Sequence, residues 1–292
     1  ALILKPSVPD LYNNLAIVLT KLHNYEKAIE FYQKAKELNS KNPLTYYNLA
    51  NLLSNKFNFN DSIINYKYAI KLSSKNPKFY YNLAIAETSL GQYFSAIDNY
   101  KKAINLSKDY VSAKYNLARL NLSVENFIDG WPDFEQRFYE GTIPDRVKEV
   151  LSLNRWHGKP FDGTLYVHGE GGVGDLILHS SMIFDLYTIH PKICLTVDER
   201  FVSLFQRSFT SIKVVDYNAK LNFKDNDLHI TLASLGSFLR TSIERFPKQP
   251  QAYILSDPEK VNHFKNILSR NKKIKIGFSW RTVGKRSLKR NL

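Results

Sequence analysis

The groups best placed to hold a polar or anionic ligand are concentrated in Gly169-Glu170-Gly171-Gly172-Val173-Gly174-Asp175. Leu165-Tyr166-Val167-His168 before them reads as a buried strand, and the residues from Asp175 onward read as a helix. A glycine-rich turn at that junction lets backbone N–H groups and the helix N-terminus approach a ligand. No Gly-Lys-Ser/Thr follows, which excludes the phosphate-binding loop of nucleoside triphosphatases. Gly169, Gly171 and Gly174 do fit Gly-x-Gly-x-x-Gly, and Asp198 stands near where a dinucleotide enzyme needs its ribose acid. Asp175 opposes that fit, because a carboxylate at the helix start repels a pyrophosphate. It has two readings of its own: a base kept ionised by the helix dipole that accepts a proton from an acceptor hydroxyl, or an ordinary first-turn cap. His168 and His179 flank the loop without a visible partner, and no Cys or His cluster has ligand spacing, so no metal is expected.

The elements that carry this loop alternate. Strands are expected at residues 164–168, 193–197, 213–215 and 228–232, with helices at 175–188 and 201–208. Such alternation implies parallel strands and a doubly wound α/β domain. Pro247, Pro250 and Pro258 punctuate its end, a helix follows over 259–268, and Lys273 to Ser279 reads as the first strand of a further α/β unit. Trp156-His157-Gly158-Lys159-Pro160 reads as an irregular connection into the domain.

The first half has a different rhythm, with a period of 34 residues. It aligns Leu15, Leu49, Leu83 and Leu117, and beside them Ala16, Ala50, Ala84 and Ala118. Pro9, Pro43 and Pro77 align as well, as do Tyr32, Tyr66, Tyr100 and Phe134. Small residues recur where helices approach closely, and aromatic residues fill the gaps. This resembles the tetratricopeptide repeat, a pair of antiparallel helices stacked into a superhelix. Ala1 falls in phase with Ala35, Ala69 and Ala103, so the chain is expected to start inside an earlier repeat. Gly130, Trp131 and Phe134 place a last repeat helix over 128–139, while Arg137 at a small-residue position marks the end of regular stacking.

Asn14, Asn48, Asn82 and Asn116 recur on the first helix of each unit, the one that faces the concave groove in such arrays. An Asn amide carries a donor and an acceptor that match an extended peptide backbone, and the series resembles the asparagine ladder of the eukaryotic O-linked N-acetylglucosamine transferase. Help with helix stacking is the other reading of the same column. Tyr47, Tyr81 and Tyr115 stand one residue earlier and could add aromatic surface.

With 292 residues, 43% of them hydrophobic, the chain can fill two cores, and it has no apolar run long enough for a membrane span. The single cysteine, Cys194, sits in an apolar run, cannot form an intrachain disulfide and fits a cytoplasmic, reducing setting. The net charge of +14 is uneven: residues 1–126 carry +7, 127–257 carry −3 and 258–292 carry +10. Between Arg270 and Arg290 there are nine cations and no acid, which suits a phosphate-bearing partner or a solvated surface. No nucleic-acid module is recognisable, and nucleic-acid binding is not expected.

The loop at residues 169–175 resembles one found in bacterial proteins that join tetratricopeptide repeats to a heptosyltransferase-like domain of glycosyltransferase family 9. Gly130-Trp131-Pro132-Asp133-Phe134-Glu135-Gln136-Arg137-Phe138, Trp156-His157-Gly158, Asp227-Leu228-His229-Ile230 with Ala233 to Gly236, and Ile276 to Arg281 are similar to that family in the same order. The resemblance implies an all-α tetratricopeptide superhelix over 1–143, a linker over 144–163, a Rossmann-like GT-B domain over 164–257 and a second GT-B domain only begun over 258–292, in a chain cut short at both ends. It further implies sugar transfer from a nucleotide-sugar donor to a protein or glycan hydroxyl, without metal or cofactor. Asp175 would be the base, Glu170, Gly171, Gly172 and Gly174 would form the donor or acceptor loop, and Ser279, Arg281, Lys285 and Arg290 would meet donor phosphate. The alternatives are a non-catalytic repeat scaffold with a degenerate α/β domain, and an NAD(P)-dependent oxidoreductase.

Overall fold

The computed structural model describes residues 7–140, 154–247 and 252–269. Antiparallel helix pairs come first: α1 (Pro9–Lys21) with α2 (Tyr25–Leu38), α3 (Pro43–Asn55) with α4 (Phe59–Leu72), α5 (Pro77–Ser89) with α6 (Tyr93–Leu106), and α7 (Val111–Ser123) with α8 (Phe127–Phe134). Proline opens α1, α3 and α5, where its fixed φ suits the helix and its missing N–H costs no bond. Asn42 and Asn76 cap α3 and α5 by accepting from Leu44 N at 3.0 Å and Lys78 N at 3.1 Å. Ala16, Ala28, Ala50, Ala84 and Ala96 are fully buried and let the helices close up, while Tyr32, Tyr66 and Tyr100, each 2% exposed, fill the same niche in successive units.

The last unit departs from the pattern. A helix over 128–139 is expected, but α8 stops at Phe134 and a single turn, α9 (Arg137–Glu140), follows. Pro132 lies inside α8 and has no N–H for its ladder. Gly130 is needed where it stands, since a Cβ there would come within 2.6 Å of the Leu122 side chain.

The sheet follows. Strands β1 (Leu165–His168), β2 (Ile193–Val197), β3 (Lys213–Asp216) and β4 (Leu228–Thr231) lie in the order β3-β2-β1-β4, all parallel. Every residue of β1 and β2 is buried, as expected for a sheet covered on both faces. Between β1 and β2 the expected single helix is two, α10 (Val173–Ser180) and α11 (Ile183–Ile189). The Ser180 and Ser181 hydroxyls donate back to the Ile177 and Leu178 carbonyls there and compete with the helix ladder. Helix α12 (Glu199–Ser208) joins β2 to β3, and a 3₁₀ turn (Ala233–Leu235) leads from β4 into α13 (Gly236–Leu239). Helix α14 (Pro258–Ser269) ends the described residues and buries none of its side chains. The expected irregular connection at Trp156 is partly ordered along β4: Trp156 N donates to His229 O at 2.8 Å, His229 N to Asn154 O at 3.0 Å, and the Trp156 ring lies in the core, 1% exposed.

The array and the sheet domain are packed together. Trp131 of α8 lies on Gly236, where a Cβ would overlap its ring, and its indole N–H donates to the Arg240 carbonyl at 2.7 Å.

The turns between paired helices repeat too: His23, Phe57, Gly91 and Glu125 have φ of 61°, 60°, 75° and 63°. Only one of these left-handed positions is glycine, the residue that adopts them without a Cβ penalty. Glu125→Gly is therefore expected to stabilise the protein by about 0.5–1 kcal/mol, and Gly91→Ala to destabilise it by about 1 kcal/mol, read from urea midpoints.

Candidate functional site

The glycine-rich loop leaves the carboxyl end of β1 beside β4, the edge at which an open parallel sheet offers a crevice. Its start is fixed by backbone contacts. Gly169 N donates to Thr196 O at 2.8 Å, and the Tyr217 hydroxyl donates to Gly169 O at 2.7 Å. Gly171 has φ +78°, and a Cβ on it would stand 2.5 Å from Asp175 Oδ2. That carboxylate accepts from Gly172 N at 2.8 Å, so the exposed Asp175 caps its own helix. At Gly174 a Cβ would meet nothing within 4 Å.

Glu170 is turned inward. Its carboxylate accepts from Arg137 Nη2 at 2.8 Å and Nε at 3.1 Å, and from Ala233 N at 3.2 Å. Arg137 comes from α9 and shares its three remaining N–H donors among the Phe134 carbonyl (3.0 Å), Glu135 (2.8 Å), Thr231 Oγ1 (2.9 Å) and Ser234 Oγ (2.7 Å). Burial works against the charge of this guanidinium, 11% exposed, but Glu170 and Glu135 outweigh it and raise its pKa. Glu135 also accepts from Arg155 at 2.7 Å and from Ser234 at 2.8 Å. Burial pushes its carboxyl up, and the two guanidinium groups more than reverse that, leaving it below the ordinary carboxylate value.

Neighbouring titratable groups are quiet. Burial pushes His168 down to about 3, so its ring is neutral, with Nδ1 paired to Thr196 Oγ1 at 2.6 Å. Burial also lowers His179, against the upward pull of Glu170 and Asp175. Asp198 accepts from Arg200 N at 3.1 Å and pairs with its guanidinium at 2.8 Å, which commits the expected ribose acid to capping α12. Among the described residues no group of three or more His, Cys, Asp or Glu could hold a metal, and no helix is long and apolar enough to cross a membrane.

The asparagine column forms a second constellation. Asn82 Nδ2 donates to the Tyr47 hydroxyl at 2.8 Å and Asn116 Nδ2 to the Tyr81 hydroxyl at 2.9 Å, each reaching one unit back. Asn48 Nδ2 reaches Asn13 Oδ1 at 3.3 Å, and Asn14 is exposed. The amide donors thus serve stacking. Ser279, Arg281, Lys285 and Arg290 lie outside the described residues. Sequence reasoning did not assign Arg137, Glu135, Thr231 and Ser234 to the loop; the signal available was an arginine in a column of alanines.

Removing Arg137 leaves the half-buried Glu170 without its cation and Glu135 with Arg155 alone. Arg137→Met is expected to cost about 3–5 kcal/mol at neutral pH, and Arg137→Lys to recover only part of it, because an ammonium cannot fork. Glu135 has a depressed folded pKa, so its contribution is complete above the unfolded value of about 4.3 and is lost as pH falls through the folded one. Urea titrations should show the gap between wild type and Arg137→Met narrowing below about pH 4.

Residues 9–42 match the model described as tetratricopeptide repeat, and residues 86–123 match a second model described as TPR repeat. A search of curated proteins found no match. Among solved structures the chain is similar to YrrB, described as a TPR protein with an unusual peptide-binding site, at 21% identity over 46% of this chain and 70% of that one, with a TM-score of 0.43. It is similar to PilF of Pseudomonas aeruginosa at 19% identity over 51% and 68%, with a TM-score of 0.45. It is also similar to the first TPR of Spaghetti (RPAP3) bound to an HSP90 peptide, at 19% identity over 40% and 92%, with a TM-score of 0.39. The helical array of this chain is built of tetratricopeptide repeats.

Proposed function

We propose that this chain is a protein-binding scaffold whose repeats hold an extended polypeptide, with the α/β domain fixed to the end of the array. The observation that carries this reading is the division of labour in the asparagine column. Asn48, Asn82 and Asn116 spend their amide N–H groups on the preceding unit, and the hydrogen bonds described leave each Oδ1 free as an acceptor, one per repeat. A row of such acceptors beside Tyr47, Tyr81 and Tyr115 suits the N–H groups of an extended chain, independent of its side chains. The lone buried thiol of Cys194 is compatible with a reducing, cytoplasmic compartment.

The scaffold is tested with a peptide selected from a random library against the full chain. Asn82→Ala is expected to weaken it several-fold and the Asn48, Asn82 and Asn116 triple alanine variant at least about tenfold by calorimetry, with the array folded by circular dichroism. Affinity unchanged within twofold in a folded triple variant would reject the groove as the site.

One observation favours a second reading, sugar transfer at the loop. Parallel strands in the order β3-β2-β1-β4 put the glycine-rich turn where Rossmann-like domains hold ligands, in keeping with the resemblance of the loop. In that reading Asp175 leaves its cap to take the acceptor proton, and Ser279, Arg281, Lys285 and Arg290 neutralise donor phosphate without a metal. Saturable heat on titration with nucleotide sugars, and turnover abolished in Asp175→Asn with peptide binding intact, is the expected pattern. No heat with any nucleotide sugar, or a response to nicotinamide dinucleotides instead, would remove it.

A further inference from the structure

The last repeat is in contact with the groove row on one side and with the loop on the other. Tyr115 packs against Phe134 with ring centroids 6.0 Å apart. Phe134 lies 4.4 Å from the guanidinium carbon of Arg137, which grips Glu170 through two nitrogens. A continuous line of side chains therefore joins the third tyrosine of the groove row to the residue that opens the exposed part of the loop. The equivalent tyrosines have ring partners of a different kind. Tyr47 packs on Tyr66 and Phe79, and Tyr81 on Tyr100 and Tyr110, all inside the array.

The loop is built to respond to its anchor. Residues 171–175 are exposed, Gly171 is left-handed, and beyond Glu170 the turn into α10 is held by Gly172 N on Asp175 and Leu176 N on Gly172 O. The hold on Glu170 joins α9, the loop and the turn after β4 in one cluster at the start of that turn. A change at Tyr115 that shifts Phe134 alters the seat of the Arg137 guanidinium, and a forked pair at 2.8 and 3.1 Å tolerates little displacement.

We propose that the repeat groove and the glycine-rich loop are energetically coupled through Tyr115, Phe134, Arg137 and Glu170, so that a polypeptide seated against Tyr115 tightens the loop. The direction toward a polypeptide rests on the scaffold reading above, whereas the coupling is a property of the free chain and is measured without any ligand. By linkage, a molecule held at the loop strengthens the groove's grip by the same factor.

The test is amide hydrogen exchange of Gly172 and Leu176, the loop amides bonded to Asp175 and to the Gly172 carbonyl, in the full chain, comparing wild type with Tyr115→Ala, Arg137→Gln and the double variant, with Tyr47→Ala as the control for general loosening of the array. Each single variant should speed exchange of the loop about tenfold, and the double variant no further. Tyr115→Phe, which keeps the ring, should exchange as wild type, and Tyr47→Ala should leave the loop unchanged. Wild-type exchange in Tyr115→Ala, equal acceleration by Tyr47→Ala, or a double variant whose acceleration is the product of the singles would each overturn the coupling. If Arg137→Gln does not fold, Glu170→Gln replaces it with the same expectations. Failure here leaves the groove as a peptide site, and failure of peptide binding leaves the exchange result standing, so the two are told apart.

Discussion

A buried guanidinium has to find partners for five N–H donors, and the architecture of this chain is arranged around the one at Arg137. The residue occupies the repeat position that Ala35, Ala69 and Ala103 hold in the earlier units. Those alanines let two helices touch; an arginine there has no room inside the stack. Its side chain instead leaves the array and reaches the carboxyl ends of β1 and β4, where Glu170, Thr231 and Ser234 receive it. Regular stacking therefore stops at this point, and the point where it stops is the point at which the second domain is attached.

The remaining contacts between the halves follow from that placement. Glu135, two residues earlier, bridges Arg137 to Arg155 and so draws the connection into the sheet domain against α8. Trp131, one turn earlier still, needs the bare backbone of Gly236 to lie flat and the Arg240 carbonyl to satisfy its indole. Charge, shape and hydrogen bonding thus agree on a single docking. The α/β domain is thereby held at a fixed place relative to the array, which an independent module on a flexible connection would not be.

Much of this is legible in the sequence. The period of 34 residues located the helices of the array, because each unit repeats the same packing problem and solves it with alanine, leucine and tyrosine in the same places. Strands β1 to β4 stand out as short apolar runs alternating with helical patterns, within a residue of where they lie. Where the reading fell short, a local rule was overridden. The helix after the loop divides where two consecutive serines bond to its own carbonyls, and the last repeat helix ends at Phe134, two residues past Pro132, where the Phe134 carbonyl accepts from the Arg137 side chain. Nothing in the sequence separates Glu170 from the open loop around it, because its partner lies 33 residues away in another domain and no spacing rule connects them. The asparagine column left two readings open, and the donor side of those amides has gone to stacking.

The account depends on Arg137 and Glu170 acting as a pair across the two halves, and a double-mutant cycle measures that pairing most directly. Urea unfolding of wild type, Arg137→Met, Glu170→Gln and the double variant should give losses that fall short of additivity by about 1–3 kcal/mol, because each single change already breaks the shared contact. Losses that add to within about 0.3 kcal/mol would contradict the account, since they would mean that the two side chains stabilise their own domains without joining them.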